Sequence, residues 1–263
     1  MRINNNITAL NSHRQYGINN GNIGKNVEKL SSGFRVNRAG DDAAGLAISE
    51  KIRTQIRGLN MASKNSQDGI SLVQTAEGAM QTAHNILQRM RELAVQSANG
   101  TNDDDVDRNA LDLEFQQLIE EIDQIEETVK FNGMDIFGEE FTIQSGANEG
   151  DTTTFTVSSI STVSDDIITQ ENAQTAITNL TEAINELSTS RAELGAIQNR
   201  LEFKIQNLDN SAENLAAAES RIRDVDMAKM MTEFTKNNIL FQASTAMLAQ
   251  ANAIPQSVLQ LVG

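Results

Sequence analysis

Asp103, Asp105, Asp107 and Glu114 stand at positions 1, 3, 5 and 12 of a twelve-residue frame. That is the oxygen-ligand spacing of a calcium loop, but the sixth position, where the sharp turn requires Gly, holds Arg108. The competing reading is a helix N-terminus loaded with carboxylates that complement its dipole, and the misplaced Arg favours it. Other candidate chemistry is thinner. His13 and His84 are far apart, each within a helical pattern, and neither sits in HExxH. The chain has no Cys, so it has no thiolate nucleophile, thiolate metal site or disulfide. The Gly-containing stretches lack the phosphate-binding pattern GxxxxGK(S/T). The residues therefore point away from catalysis, and no metal or cofactor is expected.

The elements that carry these residues are long and narrow. Hydrophobic residues make up 39% of 263, but aromatics only 4%, with no Trp and one Pro, Pro255. Such a composition cannot build a broad aromatic core. It can build apolar seams between helices, and scarce Pro lets those helices run long. The net charge of −15 is unevenly placed. Residues 1–57 hold nine Lys/Arg and four Asp/Glu (net +5), whereas residues 101–219 hold five and twenty-six (net −21). A solvated acidic face accounts for most of this; a basic end that meets acidic neighbours is the sharper reading. Binding to nucleic acid is not expected from such a balance. No segment reaches the ~18 consecutive apolar residues of a membrane span, and MRINNNITALNSHRQYG does not read as a secretory signal.

Periodicity sets the secondary structure. Ile177, Leu180, Ile184, Leu187, Leu194, Leu201, Ile205 and Leu208 fall on alternating three- and four-residue steps, with Arg191 and Gln198 the polar exceptions. The stripe continues through Leu215, Ile222 and Val225, and no breaker follows before Pro255. One helix of roughly 75 residues, ~110 Å long, is expected. A second stripe runs from Ile56 through Val73, Met80 and Leu87 to Ala94, and a third through Leu111, Phe115, Leu118, Ile122, Ile125 and Val129. Asn99-Gly100 and Asn132-Gly133 end them as turn dipeptides. Met80, Met90, Met227, Met230, Met231 and Met247 lie mostly on or beside these stripes; core packing is the first expectation and an adaptable interface the second. Between Phe141 and about Ile168 the pattern alternates among Thr and Ser around GANEG, which predicts a β-hairpin. The expected fold is mainly α: a long antiparallel coiled-coil rod with a small β-hairpin insertion near 138–168.

Both ends of the chain differ from this middle. Ile3, Ile7, Leu10, Ile23, Val27, Leu30 and Phe34 keep a helical stripe but are diluted by Asn and Gly. Each of these costs about 0.6–1 kcal/mol in a helix relative to Ala, so the segment is expected to stay unfolded until another surface covers it. Ile239, Leu240, Phe241, Met247, Leu248, Ile254, Val258, Leu259, Leu261 and Val262 are too apolar to remain exposed. The two ends want each other, or copies of each other. Asp41 and Asp42 precede an Ala-rich helix start and are expected to cap it.

Several ordered blocks resemble the bacterial flagellin family. They are LSSGFRVNRAGDDAAGLAIS (Leu30 to Ser49), NSQDGISLVQTAEGAM (Asn65 to Met80), LQRMRELAVQSANGTN (Leu87 to Asn102) and TVKFNGMDIF (Thr128 to Phe137). ELGAIQNRL (Glu193 to Leu201), SRIRDVDMA (Ser220 to Ala228) and MLAQANAIPQSVLQL (Met247 to Leu261) follow in order, and IQSGANEGD (Ile143 to Asp151) is similar to short Bacillus-like members. The resemblance implies a terminal coiled-coil core domain formed by 1–42 and 222–263, a helical rod over 43–221, and no outer domain. It implies a structural subunit that polymerises into the flagellar filament for motility. A hook–filament junction protein and a generic coiled-coil scaffold are the alternatives. It also implies an extracellular location reached through the flagellar type III export apparatus. The implied partners are further copies of the chain, an export chaperone on the C-terminal helix, and the filament cap and hook-junction proteins. Toll-like receptor 5 of hosts would meet Arg89, Leu93, Gln96 and Glu114. Arg35, Arg38, Asp41 and Asp42 fall at the junction of core and rod, where contacts between subunits are expected.

Overall fold

A computed structural model describes residues 6–161 and 163–262, with the backbone alone at 104, 105 and 255–262. In chain order the elements are α1 (Ile7–Ser32), α2 (Ala43–Ser97), a π-helical turn (Asp104–Arg108), α3 (Asn109–Thr128), β1 (Lys130–Phe131), β2 (Met134–Asp135), β3 (Glu140–Gln144), β4 (Thr152–Thr156), α4 (Gln170–Arg223) and α5 (Met227–Val262). The chain divides into two compact units, one of Met1–Ile56 with Glu213–Gly263 and one of Arg57–Ala212.

The unit Arg57–Ala212 holds the core. The stripes expected from the sequence converge there: Val73, Met80, Leu87 and Met90 of α2 meet Phe115 and Ile122 of α3 and Leu180, Leu187 and Leu194 of α4. Leu180, Leu187, Leu194, Leu201 and Leu208 are all buried at seven-residue spacing, as a heptad seam requires. Arg191, the polar exception in that seam, reaches Glu77 of α2 at 3.5 Å.

The turn between α2 and α3 is built on the residue that spoils the calcium frame. Arg108 is 5% exposed; its Nε donates to Ser97 O at 2.8 Å and a terminal nitrogen to Asn99 O at 3.1 Å. The guanidinium thus satisfies carbonyls that the end of α2 leaves open. Among the described residues no His/Cys/Asp/Glu cluster could hold a metal ion.

Two hairpins follow α3. β1 and β2 pair Phe131 with Met134, and Asn132 (φ 51°) and Gly133 (φ 81°) between them are both left-handed, the signature of a tight two-residue turn. β3 and β4 pair Phe141 with Phe155, whose rings lie 6.0 Å apart. Small residues on α2 admit this second hairpin: a Cβ on Gly69 would sit 3.2 Å from Ile143 Cγ1, and Asn65 Nδ2 donates to Gln144 O at 3.2 Å. The strands end at Thr156, short of the expected hairpin span. Val157, Ile160, Val163 and Ile167 beyond it lie outside any strand but insert into the same core.

In the other unit, α1 and α5 pack together. Asn6 Nδ2 donates to Ala251 O at 2.7 Å, and Asn19 Nδ2 to Ser244 Oγ at 2.8 Å and Leu240 O at 3.3 Å. Rising numbers on α1 match falling numbers on α5, so the pair is antiparallel. The ring of Tyr16 lies 4.9 Å from that of Phe241. One side of α1 is thus covered by the same chain.

The single long helix expected from Ile177 to Pro255 is not formed. It breaks between Arg223 and Met227, and α5 continues through position 255. The cause is a short extended crossing. Gly33 closes α1 in the left-handed conformation (φ 74°), and the residues after it form a β-bridge, Phe34 to Asp224. Arg35 N donates to Arg223 O at 2.7 Å and Val225 N to Gly33 O at 3.0 Å. Asp226 then restarts the helix, its Oδ1 accepting from Lys229 N at 3.1 Å. Backbone pairing with a distant strand outweighed a continuous helical pattern.

Phe115 fills the centre of the larger core and is fully buried. Phe115→Ala is expected to lower stability by about 3–5 kcal/mol, read from urea denaturation, while the same change at the exposed Phe203 has little effect.

Candidate assembly interface

The terminal helices pair without covering their own apolar side chains. In α1, Ile7, Leu10, Ile18 and Val27 are 47–67% exposed; in α5, Met227, Met231, Ile239, Leu240, Met247 and Ile254 are 41–61% exposed. In the larger unit, by contrast, side chains of the same types are mostly buried. Among the described residues, the buried apolar side chains of the terminal unit are Val36 and Ala251. Polar contacts hold the α1–α5 register instead. Asn19 makes its bonds across the pair, as an Asn at a seam position does when it fixes alignment. Asn26 is buried, and its Nδ2 has no hydrogen-bond partner.

The expected interface residues distribute unevenly. Ile7, Leu10, Val27, Ile239, Leu240 and Met247 are open to solvent, and Ile23, Leu30, Phe34 and Leu248 are half-buried. Ile3 and the side chains of Val258, Leu259 and Leu261 lie outside the described residues. Met80 and Met90 pack in the core, whereas Met227, Met231 and Met247 are 49–60% exposed among the described residues, as the interface reading of these side chains requires.

A compact polar junction joins α1 to α2. Glu28 Oε1 accepts from Asn37 Nδ2 at 2.8 Å and from Arg38 Nε at 2.7 Å. Asp41 Oδ2 accepts from the backbone nitrogens of Arg38 (3.1 Å) and Asn37 (3.3 Å), and Lys29 Nζ stands 3.8 Å from Oδ1. Asp42 caps α2, its Oδ1 accepting from Gly45 N at 2.8 Å. Arg35 reaches back to Ile222 O. Nearby, Arg223 donates to Glu50 at 2.9 Å and places its guanidinium 4.5 Å above the Phe34 ring. Sequence reasoning singled out Arg35, Arg38, Asp41 and Asp42 but missed Glu28, Asn37, Glu50 and Arg223. Their partners are distant or turn-defined, so no spacing signal marks them.

The four residues assigned to host recognition lie in the larger unit and are not equivalent. Arg89 donates to Glu114 at 2.9 Å and to Glu92 at 3.2 Å on an exposed face, and Gln96 is also exposed. Leu93 is a correction: it is 1% exposed and belongs to the core between helices, so it offers no contact surface.

Extended apolar helices with uncovered faces and hydrogen-bonded polar junctions define a helical structural protein. Residues 3–142 match the bacterial flagellin N-terminal helical region and residues 177–262 the C-terminal helical region. The chain belongs to the bacterial flagellin family and is a structural subunit of the flagellar filament. It is 58% identical over 272 residues to a flagellin of Halalkalibacterium halodurans and 50% identical over 303 residues to a flagellin of Bacillus subtilis, with both chains fully covered in each case. The crystal structure of Bacillus cereus flagellin superposes with a TM-score of 0.52 at 37% identity, covering 59% of this chain and 94% of that one.

Hydrogen bonds hold both junction carboxylates ionised. Asn37 foremost, then Arg38, lowers the pKa of Glu28; the backbone N–H groups of Arg38 and Asn37, with Lys29, lower that of Asp41. A carboxylate depressed on folding stabilises the fold above its unfolded pKa, and that contribution vanishes as the pH falls through the depressed value. Acid titration followed by NMR is expected to show both carboxyls protonating below the ordinary Glu and Asp ranges, with the Asn37 and Arg38 amide resonances shifting in step. In Glu28→Gln the Asp41 transition should remain.

Proposed function

We propose that 1–42 and 222–263 act together as the assembly domain of the filament subunit, with 43–221 as a helical rod domain and no outer domain. The observation that supports this is the exposure of Ile7, Leu10, Val27, Ile239, Leu240 and Met247 on helices already paired with each other. One antiparallel pair cannot bury two stripes that face outward, so further copies must cover them. At roughly 25 cal/mol per Å² of apolar area, that burial drives polymerisation against the cost of ordering the ends. The contact is heterologous, one face of a subunit meeting a different face of the next, and its rotation does not close, so a helical filament grows. Arg35, Arg38 and Asp41, exposed at the junction, contribute polar contacts between subunits; Asp42 acts chiefly by capping α2.

The same exposure bears on the other partners. An export chaperone covers the apolar face of α5 before assembly, and export runs through the flagellar type III apparatus. Cap and hook-junction proteins engage the growing and basal ends. Host Toll-like receptor 5 meets the exposed Arg89, Gln96 and Glu114. The chain performs no catalysis and uses no cofactor, and it neither binds nucleic acid nor inserts into a membrane; no helix among the described residues is long and apolar enough to cross one.

Removal of residues 1–42, or of 222–263, is expected to leave a folded soluble monomer that forms no filaments. Sedimentation velocity and negative-stain electron microscopy read this directly. Filaments of normal diameter from either truncation would sink the reading.

A further inference from the structure

The chain contains three Asn-Gly dipeptides, Asn20-Gly21, Asn99-Gly100 and Asn132-Gly133. In such a pair the glycine nitrogen can attack the asparagine side-chain carbonyl, because no Cβ stands in its way. The structure treats the three very differently. Asn20 and Gly21 lie inside α1, where the Gly21 N–H is engaged by the helix and the backbone is far from the ring geometry. Asn132 is held in the left-handed conformation by a two-residue turn with paired strands on both sides, so ring closure requires the hairpin to open.

Asn99 is placed otherwise. It lies just beyond the end of α2, exposed, with no hydrogen bond to the Gly100 nitrogen among the described residues. Its own side chain is folded back, Oδ1 accepting from Thr101 N at 3.4 Å. This Asx turn folds the side chain back along the peptide that joins Asn99 to Gly100. Two donors hold the carbonyl of the peptide that contains that nitrogen: Arg108, through a terminal guanidinium nitrogen at 3.1 Å, and Asn102 N at 3.3 Å. A cation on a peptide oxygen draws charge from the adjoining N–H and makes it easier to deprotonate. Thr101 N–H, already on Oδ1, is aimed at the oxygen that becomes negative when the side-chain carbonyl is attacked.

We propose that Asn99 is a site of spontaneous, structure-assisted deamidation. The Gly100 nitrogen gives its proton to solvent base and bonds to Cγ of Asn99. Nδ2 takes a proton from water as the Cγ–Nδ2 bond breaks, ammonia leaves, and a succinimide remains. Water then opens the ring at either carbonyl to give aspartate or isoaspartate. Both products add a negative charge to a turn that already carries Asp103 and Asp107. Isoaspartate also lengthens the main chain by one methylene where Arg108 grips Ser97 and Asn99, and loosens the entry to α3.

The test ages the full-length monomeric protein in mildly alkaline buffer, folded and in urea. Peptide mass spectrometry and enzymatic methylation of isoaspartate then follow each Asn-Gly site. In the folded protein Asn99 is expected to convert about tenfold faster than Asn132, the gain that one charge-assisted hydrogen bond can supply. It should also convert faster there than in urea, where the three dipeptides become alike. Gly100→Ala, whose Cβ would meet nothing nearer than Gln170 Nε2 at 4.0 Å, should suppress conversion at Asn99 with the thermal midpoint unchanged. Conversion at Asn99 that is equal or slower in the folded state than in urea, or no faster than at Asn132, overturns the proposal.

Discussion

An antiparallel pair of helices has one shared seam, and α1 and α5 carry more apolar surface than one seam can hold. This mismatch governs the rest of the molecule. The helices meet through Asn6, Asn19 and the Tyr16–Phe241 ring contact, while Ile7, Leu10, Ile239 and Met247 remain turned to water. A polar seam gives alignment at little gain in stability. The unpartnered Nδ2 of Asn26 weakens it further, since a buried donor without an acceptor costs about 1–3 kcal/mol. The chain thus keeps its strongest association energy for contacts outside itself.

The larger unit solves the opposite problem. Its stripes on α2, α3 and α4 are mutually satisfied around Met80, Leu87, Phe115 and Leu180. Much of its polar interior is hydrogen-bonded as well, with His84 Nδ1 and Arg191 Nε as exceptions: Ser97 Oγ donates to Ile167 O, Arg108 closes the carbonyls at the end of α2, and Asp112 accepts from Ile167 N at 3.0 Å. Such a core stands without help from neighbours. The junction around Glu28, Arg38, Asp41 and Arg223 then fixes how α1 and α5 leave the ends of α2 and α4 within the terminal unit. Its charged groups range from the exposed Arg38 to the mostly covered Arg223, and their hydrogen bonds to backbone and side chains set the course of the chain.

Much of this was legible in the residues. Heptad spacing located the three core helices because burial on one face imposes that period wherever a seam is closed, and the helix-ending Asn-Gly pairs marked turns that the structure forms. The break at Asp224 was not legible. Ile222 and Val225 keep the helical stripe, and what interrupts it is a β-bridge from Phe34, some 190 residues earlier in sequence. The exposed methionines were misjudged for a related reason: periodicity says that a face is apolar, but not whether the same chain covers it. Leu93 was placed by resemblance alone, which matches a position and says nothing of its burial. The junction partners Glu28, Asn37 and Arg223 left no pattern, because single long-range hydrogen bonds have no period.

The central claim is that the terminal helices gain their full stability only from neighbouring copies. Hydrogen–deuterium exchange on the same full-length protein, as monomer and as assembled filament, tests it most directly. The account predicts weak protection of Ile7–Ser32 and Met227–Val262 in the monomer and strong protection in the filament, with the core of Arg57–Ala212 protected in both. Equal protection of the two terminal helices before and after assembly would contradict it.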